Sequence, residues 1–164
     1  MYKKIMVPLD GSELAECVLP HVDGFVSGFQ VDKVIFVRVL EPTPALFSEM
    51  SSTTNPHALE SIQKNIAMID KERRSSAAKY LEQVISRVKL GGIKYKTDVL
   101  VGKIADSLVD YVEANEIDLV LIATHGRSGI SRWVRGSIAD RVLRSSCAPV
   151  LMVRADRNMK GEKH

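Results

Sequence analysis

Five apolar, β-branched runs, at about 2 to 8, 33 to 40, 94 to 101, 118 to 123 and 149 to 153, punctuate this chain, with helical patterns between them. Stretches such as LVLIA and VIFV are continuous rather than alternating, the mark of strands buried on both faces. Alternation of strand and helix from end to end predicts a parallel sheet with right-handed crossovers and helices on both sides. A chain of 164 residues, 45% hydrophobic and 26% charged, can form such a sheet as a single domain and bury roughly 70% of its unfolded surface.

The connections are unequal. Asp10-Gly11-Ser12 announces a first helix with Ser12 as N-cap, whose buried face is traced by Leu14, Val18, Val22, Phe25 and Phe29. Pro20 lies inside that pattern and predicts a bend. A third helix, about 103 to 115, should turn Ile104, Leu108, Tyr111 and Val112 inward. Between strands two and three, the Pro- and Ser/Thr-rich segment 41 to 57 reads as an irregular loop. A long helical pattern then runs from 58 to 89, about 48 Å if unbroken, more than a sheet of ordinary strands can cover. Its N-terminal half should overhang, and the stripe Leu59, Ile62, Ile66 and Ile69 then needs a cover, from the preceding loop or from another subunit. The last strand, 148 to 153, carries no charge until Arg154, so as a sheet edge it favours a two-fold homodimer that pairs it with its copy. The domain is expected to span 1 to 154, with 155 to 164 a polar tail.

Several function classes recede on composition. No apolar run approaches the ~20 residues of a membrane helix, and the stretch from Ile5 to Leu9 is too short for a secretion signal, so a cytoplasmic protein is expected. Cys17 and Cys147 stand apart and read as buried thiols, and the four histidines show no metal-ligand spacing, so no metal site is expected. A net charge of +3 is too small to suggest nucleic-acid binding. Its distribution is local, with five arginines against the single acid Asp140 between Arg127 and Arg144. Arg141 and Arg144 fit the C-terminal end of a helix dipole, Arg132 a solvated surface. Arg127 and Arg135 either screen phosphate or are solvated.

The chemistry-bearing stretch is DLVLIATHGRSGISRWVRGSIADRVLRSS. An apolar strand runs into a turn at Gly126, nine residues follow, and Gly136-Ser137 opens a helix whose free N–H groups can face an anion. Either glycine alone is a weak signal; with Ser137 beside them they form a candidate phosphate cradle. His125 is a further candidate contact, or simply a solvated residue, and Trp133 reads as packed rather than stacked on a base. In a doubly wound sheet ligands bind where the strand order reverses, and in the order 3-2-1-4-5 that point lies between strands one and four. Asp10, ending strand one, would repel a polyphosphate and is better placed to accept from an adenine amine or a ribose hydroxyl; the alternative is that it merely caps the first helix. No GxxxxGK[ST] loop, GxGxxG fingerprint, GxSxG elbow, HIGH-like or SGGxDS-like loop occurs, which weakens an enzymatic reading, and no catalytic residue is nominated.

VPLDGS at 7 to 12, VIFVRVLEP at 34 to 42, DLVLIATHGRSG at 118 to 129, GSIADRVLRSS at 136 to 146 and APVLMV at 148 to 153 together resemble the universal stress proteins of the nucleotide-binding type, over essentially the whole length. That family carries Gly, two residues, Gly, nine residues, Gly and Ser or Thr; here Gly126, Gly136 and Ser137 match, and Ala123 stands at the first glycine. The resemblance implies an α/β fold, an open doubly wound five-stranded parallel sheet of order 3-2-1-4-5 of the adenine-nucleotide alpha-hydrolase-like (Rossmann-like) kind. It implies dimerisation through the last strand and ATP or a related adenine nucleotide, with or without Mg²⁺. By position, Pro8, Leu9 and Asp10 would border adenine and Val39 would offer backbone contacts. Ile122, Ala123, His125 and Gly126 would line ribose and α-phosphate, and Gly136, Ser137, Ile138 and Ala139 the distal phosphates.

Three functions compete. One is a dimeric, adenine-nucleotide-binding stress sensor or switch; the second is a slow ATPase or phosphotransferase using Ser137 or His125; the third is a protein-interaction module that binds no nucleotide.

Overall fold

A computed structural model describes residues 2–42, 55–124 and 138–154. All five strands are parallel: β1 (Lys4–Pro8), β2 (Lys33–Leu40), β3 (Lys94–Val101), β4 (Leu119–Thr124) and β5 (Val150–Arg154), ordered β3-β2-β1-β4-β5. The predicted fold class and strand order are therefore correct. Helices α1 (Leu19–Gly28), α2 (Pro56–Ile85), α3 (Ile104–Ala114) and α4 (Ile138–Ser145) connect them, α1 being preceded by a 3-10 turn at Ala15–Val18.

The continuous apolar runs have a direct cause, for the strands feed two cores. Ile5, Val7, Val34, Phe36 and Leu121 pack with Val18, Val22, Leu81 and Val84 on the side of α1 and α2. Met6, Ile35, Val37, Val120 and Ile122 pack with Leu108, Val112, Ala139 and Val142 on the side of α3 and α4. Successive strand residues thus enter opposite layers, and along residues 5–7, 34–37 and 119–122 neither layer leaves room for a polar position.

Three helical expectations change. Pro20 does not bend a helix: it sits in the first turn of α1, where its missing N–H costs no hydrogen bond, and the segment before it is a 3-10 turn. Ser12 consequently caps that turn, its Oγ accepting from the Ala15 N–H at 3.1 Å, and Ala15 is buried where Leu14 was expected. Phe29 is exposed at the helix end, stacked on Phe25.

The long helix starts at Pro56, with the Asn55 side chain accepting from the His57 N–H, and ends at Ile85 rather than 89. Ser86 closes it by donating its hydroxyl to the Gln83 carbonyl, and Gly91 and Gly92 then turn the chain with positive φ. From His57 to Ser76 no residue is buried, whereas Ala77, Leu81, Val84 and Ile85 are. Leu59, Ile62, Ile66 and Ile69 are half-buried. Residues 43 to 54 of the loop and the tail 155 to 164 lie outside the described residues.

Helix α3 matches its expectation, with Leu108, Tyr111 and Val112 buried and Ile104 partly so. The cysteines do not, Cys17 being half-buried and Cys147 exposed. Among the described residues no cluster of His, Cys, Asp or Glu could hold a metal, and no helix is long and apolar enough to cross a membrane.

Candidate functional site

β1 ends at Pro8 while β2, paired with it in register from Lys4 with Lys33 to Pro8 with Val37, continues to Leu40. The Leu9 N–H makes the last bond across, to the Val37 carbonyl at 2.9 Å. On the other side of β2, the Leu40 carbonyl accepts from Gly102 at 3.0 Å. Main-chain groups of a strand alternate between its two neighbours, so the N–H and C=O of Val39 point to the side that β1 has vacated. A donor and an acceptor are thereby offered at the reversal of strand order.

A cavity of about 380 Å³ opens at this point. Pro8, Leu9 and Asp10 from the end of β1 and Val39 from β2 line it, as do Ile122 and Ala123 from β4 and Ile138 and Ala139 from α4. Each of these eight was expected from the resemblance, and the structure brings them together. Five further residues line it: Ala15, Val37, Ile104, Leu108 and Thr124. Val37 could have been found from Val39, two residues on along the same face, whereas the inward stripe of α3 that carries Ile104 and Leu108 does not by itself distinguish a cleft from a closed core. His125, Gly126, Gly136, Ser137 and the arginines Arg127 and Arg135, as well as Trp133, lie outside the described residues.

Chemically the cavity is an apolar slot with few polar groups. Asp10 is its one charged side chain among the described residues, and Thr124 adds a hydroxyl. Asp10 Oδ1 accepts from the Ser12 N–H at 2.8 Å and from the Ser12 hydroxyl at 2.6 Å, which orients the carboxylate. Asp10 thus organises the turn and also lines the cavity, while the bond to the 3-10 turn is made by Ser12. Ala123 is the last but one residue of β4 and pairs with Val153, so it is ordinary extended backbone that alanine adopts freely.

The described arginines of the basic stretch are paired rather than free for phosphate. Arg144 Nε donates to Asp140 at 3.0 Å and Arg141 reaches Asp106 of α3 at 2.6 Å. Only Arg144 lies in the last turn of α4, as the dipole reading expected; Arg141 is the fourth residue of that helix, away from its C-terminal end, and is held instead by a carboxylate of the neighbouring helix α3. Farther off, Tyr111 donates to Asp98, which also holds Lys96. Burial first, and then that hydrogen bond, raises the Tyr111 phenol above its ordinary value.

Comparison with known proteins places this geometry. Universal stress protein MJ0531 of Methanocaldococcus jannaschii is 28% identical over 155 residues, covering 94% of this chain and 83% of that protein. Universal stress protein MJ0577 of the same organism is 26% identical over 158 residues, covering 94% and 96%. The solved structure of MJ0577 superposes with a TM-score of 0.75, covering 96% of this chain and 99% of that one. A universal stress protein solved in complex with cAMP shares the fold at a TM-score of 0.58 and 18% identity, covering 94% and 98%. The family profile described as universal stress protein family matches residues 1–154, and the chain belongs to that family.

Proposed function

We propose that this protein binds an adenine nucleotide in the cleft between β1 and β4 and acts as a dimeric sensor or switch of the stress response. The observation that carries the reading is the main chain of Val39, directed into a cavity of about 380 Å³ beside Asp10. That volume falls in the lower part of the range of small-molecule sites, roughly 300–1,000 Å³. A base is a flat apolar body with polar edges, and this slot has apolar walls with a backbone donor, a backbone acceptor and one carboxylate at its rim. The carboxylate suits a ribose hydroxyl or an exocyclic amine and repels phosphate, so the phosphates would leave toward the segment 125 to 137, which carries Gly126, Gly136 and Ser137. His125 would stand beside them, with Arg127 and Arg135 as screening charges.

ATP or a related adenine nucleotide, with or without Mg²⁺, is the ligand this arrangement suits. The cAMP-bound neighbour speaks, at 18% identity, to the fold alone, and the assignment of ligand rests on this chain's own residues. The homodimer is supported by β5, a sheet edge whose Leu151 and Met152 are 38% and 36% exposed. Among the described residues of the cleft none is arranged as a nucleophile with its base, and the function proposed is binding. Mass spectrometry of the purified protein for co-purifying adenine nucleotide tests it, together with the rise in melting temperature on adding ATP; absence of both contradicts it.

A further inference from the structure

Alternation along β2 sends Val37 and Val39 toward the α3 layer and the cleft, and Arg38 to the opposite face. There the Arg38 guanidinium lies over the ring of Tyr80 on α2, with Cζ 5.1 Å from the ring centroid. The same guanidinium backs onto the turn after β1. A Cβ at Gly11 would sit 2.8 Å from its nearest nitrogen and 3.0 Å from Cζ, and Gly11 has φ +92°. The turn is therefore glycine for two reasons, a left-handed backbone and the close approach of an arginine. Glu16, nearby, is taken by Arg87 at 2.9 Å, and Asp10 by Ser12. Burial chiefly, and then the carboxylates of Glu16 and Asp10, raise the Tyr80 phenol, which Arg38 opposes, so these charges converge on one ring.

We propose that Arg38 is a positioning residue for the ligand: held on Tyr80, it braces the Gly11 turn from behind and so fixes the Asp10 carboxylate at the lip of the cleft. The claim rests on the nucleotide reading above. Neither Arg38 nor Tyr80 lines the cavity, so their effect must pass through the turn.

A double-mutant cycle reads this directly. Arg38→Met keeps the aliphatic stem and removes the guanidinium; it should weaken ATP binding by about tenfold, within the range a partly desolvated cation–ring contact provides. In an Asp10→Asn background the same change should cost less than about twofold, because the group it positions has lost its charge. Equal losses in the two backgrounds would overturn the proposal. Tyr80→Leu is the second variant, expected to repeat the Arg38→Met pattern and serving in its place if that protein does not fold; ATP affinity unchanged in Tyr80→Leu would also overturn it. Amide exchange separates this claim from the nucleotide reading. In the ligand-free protein, Arg38→Met should speed exchange of the Ser12 amide while core amides of β1 keep their protection, and unchanged Ser12 exchange would count against the brace. Faster Ser12 exchange in a protein that binds no nucleotide would support the brace and refute the nucleotide reading.

Discussion

Asp10 and Ser12 are joined twice, the carboxylate Oδ1 accepting both the backbone N–H at 2.8 Å and the hydroxyl at 2.6 Å. A residue that serves the turn and the cleft together should show two separable effects. Asp10→Ala is expected to weaken adenine-nucleotide binding about tenfold or more, as loss of a charged hydrogen-bond acceptor does. Ser12→Ala, which removes only the hydroxyl, should weaken it much less. Calorimetric titration of the two variants checks the order, and equal losses would show that the carboxylate acts only through the turn.

Leu108 connects core and cleft, since it is 1% exposed and lines the cavity. Leu108→Ala should cost about 2–5 kcal/mol of stability, the usual range for a buried leucine, and should also enlarge the slot. Chemical denaturation measures the first effect. The second should appear as relatively better binding of adenine analogues with an added substituent on the ring.

The inner sheet was legible because its strands are buried on both faces, which writes an uninterrupted apolar run into the sequence at residues 34–37 of β2 and 119–122 of β4. Helix ends were less so. Pro20 looks like a kink when its neighbours are read as one helix, and only the 3-10 turn at Ala15–Val18 makes it a helix start. Likewise Val88 keeps the helical period beyond Ile85 because it packs against the same core from a turn. In the cleft, residues next to recognisable turns, such as Asp10 and Ala123, could be named in advance. Ile104 and Leu108 could not, because an inward helical stripe looks alike over a cleft and over a closed core.

Alkaline pH should destabilise the fold. Tyr111, raised by burial and by Asp98, and Tyr80, raised by burial and by Glu16, keep their protons in the native state above the ordinary tyrosine value of about 10. The stabilisation is complete below that value and is lost as pH climbs above about 10, where the unfolded chain releases protons the native state retains. Urea midpoints taken on both sides of that value should fall, and Tyr111→Phe should make the fall shallower. An identical fall in the variant would show that Tyr111 makes no contribution.

The edge strand β5 tests the assembly. Leu151→Arg places a charge on an exposed edge position and should convert a dimer to a monomer with little change in melting temperature. Sedimentation at dimer mass in the variant would show that the subunits meet elsewhere.

Calorimetric titration of the wild-type protein with ATP, ADP and AMP, with and without Mg²⁺ and beside GTP, tests the central claim most directly. The cleft at Val39 and Asp10 requires saturable binding of one adenine nucleotide per chain, with GTP weaker by about tenfold or more, since a guanine edge reverses donor and acceptor against the same main chain. No measurable heat with any adenine nucleotide, or binding of GTP as tight as ATP, would contradict it.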